Sequence, residues 1–99
     1  MKTQFSFVKL EKSEALQGFT QEKLDKLEKK YDFVVQAEIH FKRDEDQDPN
    51  GYICNILLSA PGPRLFSESK ENSFEAAANK CVKDLEKQLE KRKDQMKTH

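Results

Sequence analysis

Two hydrophobic periods alternate along this 99-residue chain. Residues 3 to 10, TQFSFVKL, set aromatic and β-branched side chains between polar ones and predict a first strand. Ser13 then offers a capping oxygen, with Glu14 in the first turn and Leu16, Phe19, Leu24, Leu27 and Tyr31 following at helical spacing. From Phe33 the period becomes two: Phe33, Val35, Ala37, Ile39 and Phe41 alternate with Val34, Gln36, Glu38, His40 and Lys42. A turn-rich acidic loop follows, DEDQD and then Pro49-Asn50-Gly51, before Tyr52, Cys54, Ile56, Leu58 and Ala60 resume the alternation. Pro61-Gly62-Pro63 makes a tight connection to a short fourth strand, RLFSES. Ser73 caps a long last helix carrying Phe74, Ala78, Val82, Leu85, Leu89 and Met96 on one side.

The element order is therefore β-α-β-β-β-α, with no internal repeat and no dividing linker, so residues 1–99 read as one domain. Strands grouped beside two helices predict an α+β sandwich, both helices on one face of a mostly antiparallel four-stranded sheet, the other face open. The Leu85 and Leu89 face is expected to pack with Phe33, Val35, Ile39, Ile56 and Leu58 in one core.

Composition sharpens the picture without changing it. The chain is 35% hydrophobic and 36% charged, which fits amphipathic elements with wet outer faces. Cys54 and Cys81 fall in core-like segments with no C-x-x-C or Cys/His ligand spacing and are expected to be free thiols. No apolar run approaches the roughly 18 residues of a membrane span, and the N-terminus lacks a signal-type apolar segment, so a cytoplasmic protein without a membrane partner is expected. His40 and His99 have no Cys or carboxylate partners at a recognisable spacing, and there is no phosphate loop or nucleophile motif. The sequence thus predicts no catalytic residues, no metal, no cofactor and no small-molecule substrate.

The charges are balanced in number, 18 Lys plus Arg against 18 Asp plus Glu, but not in place. On a helical wheel with Leu16 at zero, Lys23, Lys26 and Lys30 fall between roughly 280° and 340°, whereas Glu14, Glu22, Asp25 and Glu28 fall between roughly 120° and 240°. In the last helix Lys80, Lys83, Lys87 and Lys91 share the side opposite Leu85 and Leu89. Lys91-Arg92-Lys93 and Lys97 add charge near its end, while Asp44 to Asp48 gathers four acids. A single stripe of this kind is ordinarily a solvated face laced with weak i, i+4 ion pairs. Two segregated stripes on helices that share one sheet face point instead to a phosphate-binding surface. Lysines without stacking aromatics suit structured RNA read by shape and phosphate position.

Three segments carry a resemblance. SEALQGFTQEKLDKLEKKYD resembles the first-helix signature of the hibernation promoting factor and ribosome-associated inhibitor family, KDLEKQLEKRKDQMK is similar to its last-helix pattern, and SAPGPRLFSE resembles its turn between the third and fourth strands. The motifs occur in family order over nearly the whole chain. The sequence departs from the pattern where Ser73-Phe74-Glu75-Ala76-Ala77-Ala78-Asn79 opens the last helix without the family's Tyr and closing Asp, where Lys83-Asp84 inverts an Asp-Lys pair, and where Phe66 replaces a polar or basic residue.

The resemblance implies a fold like that of double-stranded-RNA-binding domains, in the short, single-domain form. On this reading the extra C-terminal domain through which longer members pair ribosomes is expected to be absent. The resemblance further implies binding to small-subunit ribosomal RNA over the messenger and transfer RNA sites, silencing idle ribosomes in stationary phase or stress, and leaves open a separate small ribosome-dimerising factor as a second partner. Lys23, Lys26, Lys87, Lys91 and Lys93 match the family's basic positions; Lys30 and Arg92 join them by place in the stripe and segment. The alternative is a non-enzymatic protein-interaction module using an apolar patch of Ile53, Leu57 and Phe66 on the open sheet face. Salt discriminates the two, since phosphate binding weakens steeply with ionic strength and apolar contact does not.

Overall fold

A computed structural model of the chain describes residues 1–44, 48 and 50–97, with the side chain of Lys97 outside the description. The elements run β1 (Lys2–Phe7), α1 (Glu14–Lys30), β2 (Gln36–Arg43), β3 (Tyr52–Ser59), β4 (Leu65–Glu71) and α2 (Phe74–Lys97), the order read from the sequence. Both serine caps form. The Ser13 hydroxyl accepts from the Leu16 N–H at 3.1 Å, and that of Ser73 accepts from the Ala76 N–H at 3.1 Å, each satisfying an orphan donor of the first turn.

The four strands form one sheet in the order β1-β2-β3-β4. β1 runs parallel to β2, and the β2-β3 and β3-β4 pairs are antiparallel. A parallel neighbour needs a crossover, which α1 supplies, whereas short turns suffice for the antiparallel pairs. Phe5, Ile39, Ile56 and Ser67 stand opposite one another in a row across the sheet, and Phe7, Phe41, Cys54 and Ser69 form the next. These rows face the helices. The intervening rows, Ser6-His40-Asn55-Glu68 and Gln4-Glu38-Leu57-Phe66, occupy the other face.

α2 lies across β3 and β4, with α1 packed alongside it. Leu16, Leu24 and Leu27 from α1 and Ala77, Ala78, Cys81, Leu85 and Leu89 from α2 meet Ala37, Ile39, Phe41, Cys54, Ile56 and Leu58 from the sheet in one buried cluster. Thr20, the buried hydroxyl of α1, donates back to the Leu16 carbonyl at 2.9 Å, so its polar group is satisfied inside the helix.

Three placements differ from the sequence reading. Val35 was expected in the core but is 63% exposed, while its neighbour Val34 is 4% exposed. The two-residue period holds only where the chain is a strand, and β2 starts at Gln36; before it the backbone turns, Val34 N–H donating to the Tyr31 carbonyl and Val35 N–H to that of Ser59. The first strand ends at Phe7, not at residue 10, because Lys9 takes a left-handed φ of 56°. Met96 is 44% exposed: Leu89 is the last buried residue of α2, and the helix runs on past the core. Phe33 is partly buried against the core, as expected. The acidic segment 45–47 and His99 lie outside the described residues.

Cys54 and Cys81 are both free and fully buried. The Cys81 thiol donates to the Cys54 carbonyl oxygen at 3.1 Å, and the Cys81 thiol together with burial pushes the Cys54 thiol well above its ordinary pKa. The hydrogen bond to Cys54, with a second to the Ser67 carbonyl, pushes the Cys81 thiol the other way, below its ordinary pKa, so Cys81 is protected by burial alone. With both sulfurs shut away from reagent, both side chains should resist a maleimide or disulfide reagent in the native protein and react stoichiometrically in denaturant. Labelling of either within minutes under native conditions would contradict the core packing.

Candidate nucleic-acid interface

The lysine stripe of α1 emerges where that helix meets α2. Leu24 and Leu27 are buried, and the residues one step round the wheel, Lys23, Lys26 and Lys30, line the seam between the helices. From the other side Asn79, Val82, Lys83 and Glu86 of α2 complete a groove of about 260 Å³, with Leu27 at its base. Four lysines from two helices thus surround one depression, and Glu86 is the only carboxylate among the described residues that line it. The side chains owe this to helix phase: Val82 is partly buried against the core, and Asn79, Lys83 and Glu86 stand three or four residues from one another beside it.

The groove has an internal electrostatic bias. Lys30 Nζ lies 3.3 Å from Glu86 Oε2, an exposed pair that raises the lysine's pKa through their hydrogen bond and charge. Lys23 Nζ stands 5.0 Å from the Phe19 ring centroid, a cation-π contact that holds its stem down on the helix surface. Among the described residues, none of Lys23, Lys26 and Lys83 is in an ion pair, so their ammonium groups are available to an incoming anion. At the far end of the seam two cations stand over the Tyr31 ring, Lys30 Nζ at 5.9 Å and Lys93 Nζ at 5.8 Å from its centroid. Burial raises the pKa of the Tyr31 hydroxyl first of all, keeping it a neutral platform.

The seven cations singled out by the sequence are therefore divided in space. Lys23, Lys26 and Lys30 share the groove, and Lys93 stands at its Tyr31 end. Lys87 and Lys91 are exposed on the outer side of α2, away from Leu85 and Leu89. Arg92 is turned to the opposite flank, where its guanidinium donates to the carbonyls of Pro61 and Pro63. The residues missed were Asn79, Lys83 and Glu86. Lys83 was visible as part of the α2 stripe, but nothing local says that it, and not Lys87, faces α1.

The open sheet face presents Phe66, 52% exposed, directly across from a partly buried Leu57, with Glu38 on the next strand. Isolated exposed apolar groups of this size are common on protein surfaces. Among the described residues, no three His, Cys, Asp or Glu side chains are grouped to hold a metal, and no helix is long and apolar enough to cross a membrane.

Comparison with known proteins matches residues 3–97 to the family described as sigma 54 modulation protein / S30EA ribosomal protein. The backbone is similar to that of a ribosomal subunit interface protein from Coxiella burnetii, with a TM-score of 0.84 at 21% identity over 95% of this chain and 99% of that one. It is also similar to the N-terminal domain of protein Y from Thermus thermophilus, with a TM-score of 0.78 at 20% identity over 92% of this chain and 98% of that one. No curated relative matches the sequence.

Proposed function

This chain belongs to the family of sigma 54 modulation proteins and S30EA ribosomal proteins, and on that premise we propose that it is a non-enzymatic, cytoplasmic, ribosome-binding silencer that grips small-subunit ribosomal RNA with its helical face. The observation that carries the reading is the groove in which Lys23, Lys26, Lys30 and Lys83 converge from two helices. Backbone phosphates reward such a cluster because each neutralised charge releases condensed counterions. The groove holds no exposed aromatic on which a base would stack, so it suits the phosphate ridges of a folded RNA more than unpaired bases. Lys87, Lys91 and Lys93 extend the cationic surface along α2. The similar Coxiella burnetii protein, described as a ribosomal subunit interface protein, supports the same partner. Occupying the messenger and transfer RNA sites would hold an idle ribosome silent.

Gradient sedimentation of stationary-phase lysate tests the proposal. The protein should travel with small subunits or whole ribosomes at low salt and leave them as salt rises. Its appearance with paired ribosomes would indicate a separate dimerising factor acting beside it. Finding it only at the top of the gradient at low salt would refute the ribosome as partner.

Glu86 provides a second, opposite-signed test. Its carboxylate competes with phosphate for Lys30 and repels the anion directly. Glu86→Gln should therefore tighten binding to purified small subunits by roughly two- to fivefold, the range expected of an exposed charge, and steepen the salt dependence. Weaker binding by this variant would mean that the groove does not receive a polyanion.

A further inference from the structure

Arg92 does something other than its neighbours. Its Nη1 donates to the Pro61 carbonyl at 2.6 Å and its Nη2 to the Pro63 carbonyl at 2.8 Å. The residue between those carbonyls is Gly62, in a left-handed conformation with φ of 94°. A β-carbon on Gly62 would stand 3.0 Å from Nη1 and 3.4 Å from the guanidinium carbon, so the turn lies close against the arginine head; a side chain there would press on the guanidinium and would also be strained by the positive φ. Each flanking proline fixes its own φ and has no N–H, which leaves a stiff turn presenting acceptors to a two-pronged donor.

The clamp occurs where the core ends. Leu89 is the last buried residue of α2 among the described residues, yet the helix continues to Lys97 and carries Lys91 and Lys93 on turns that add no buried side chain to the core. Asp84, Gln88 and Arg92 follow one another at four-residue spacing along one flank. Gln88 Nε2 donates to the Phe66 carbonyl at 3.0 Å, and Arg92 extends the same attachment one turn further, onto the connection between β3 and β4.

We propose that Arg92 is a positioning residue: by clamping the Pro61-Gly62-Pro63 turn it fixes the bearing of the last turns of α2, and with them Lys91 and Lys93, while itself making no phosphate contact. The functional half of this inference rests on the RNA-binding reading given above; the clamp does not.

The test uses the full chain with the variants Arg92→Ala, Arg92→Lys, Gly62→Ala and, as a phosphate-contact control, Lys91→Ala. Amide hydrogen exchange is followed in the free protein, and binding to purified small ribosomal subunits is measured over a series of salt concentrations. Arg92→Ala and Gly62→Ala should both speed exchange at Gly62, Arg64 and residues 93–96 by about tenfold or more, leaving the β2 and β3 amides protected. Both should weaken subunit binding several-fold with an unchanged slope of log K against log salt. Lys91→Ala should flatten that slope by about 0.7 to 0.9. Arg92→Lys is the decisive variant, because it keeps the charge but one ammonium does not reproduce the planar fork that spans the two carbonyls; it should behave like Arg92→Ala. Full binding by Arg92→Lys, with a flattened slope for Arg92→Ala, would make Arg92 a phosphate contact and overturn the proposal. Unchanged exchange in Arg92→Ala and Gly62→Ala would overturn the clamp itself. If Lys91→Ala and every other variant bound like wild type while exchange did accelerate, the RNA-facing reading would be what failed, and the positioning role with it.

Discussion

Replacing Lys23, Lys26 and Lys83 together by glutamate is expected to weaken binding to purified small ribosomal subunits by at least about a hundredfold near 0.15 M salt. The estimate follows from counterion release: each lost phosphate contact removes roughly 0.9 of a unit from the slope of log K against log salt, and three contacts at that salt concentration amount to about two decades. Repulsion between the new carboxylates, Glu86 and the RNA adds to the loss. Fold stability should hardly change, since all three side chains lie at or near the surface and none is in an ion pair among the described residues. Thermal melting checks that separately. Lys42→Glu serves as the control, because Lys42 stands on β2 between the open-face residues and away from the helices, and reversing it leaves the groove intact. Tight binding by the folded triple variant at both low and high salt would remove the groove from the function and bring forward the Leu57 and Phe66 face.

Leu85→Ala should cost about 2 to 5 kcal/mol of folding stability without touching the cationic surface. Leu85 is completely buried on α2, in the cluster that includes Leu89, Ile56 and Leu58, so truncation loses apolar burial and leaves a cavity that a helix lying across two strands closes only partly. Urea denaturation would record the loss as a lower midpoint with an unchanged slope. Met96→Ala is the matched comparison: that side chain is 44% exposed on the overhanging end of the same helix, and its removal should change stability by less than about 0.5 kcal/mol. A Leu85→Ala effect as small as that of Met96→Ala would show that α2 does not carry its apolar face where the contacts put it.

What the sequence determined by itself was local. Both helix starts were legible because Ser13 and Ser73 have capping oxygens placed before apolar residues at helical spacing, a signal contained within four residues. Ala37, Ile39 and Phe41 on β2 and Cys54, Ile56 and Leu58 on β3 were legible as core because a strand puts alternate side chains on one face wherever it is a strand. The segregation of lysines from acids on α1 was legible for the same reason, as a property of phase along one helix.

The tertiary structure decided whatever depended on two elements meeting. Val34 and Val35 exchanged places because the residues before β2 answer to the turn after α1 and to Ser59 on the neighbouring strand, not to a period of two. The wheel could group Lys80, Lys83, Lys87 and Lys91 but not say which of them looks toward α1; the packing angle of the helices selected Lys83 and brought Asn79 and Glu86 with it. Arg92 read as one more cation in a basic run until the connection between β3 and β4 folded back beneath it and offered two carbonyls. Periodicity reports the faces of an element through torsion angles and spacing, both local quantities. Which faces meet is set by long-range packing and by the need of buried or converging polar groups for partners, and no residue's near neighbours in sequence record that.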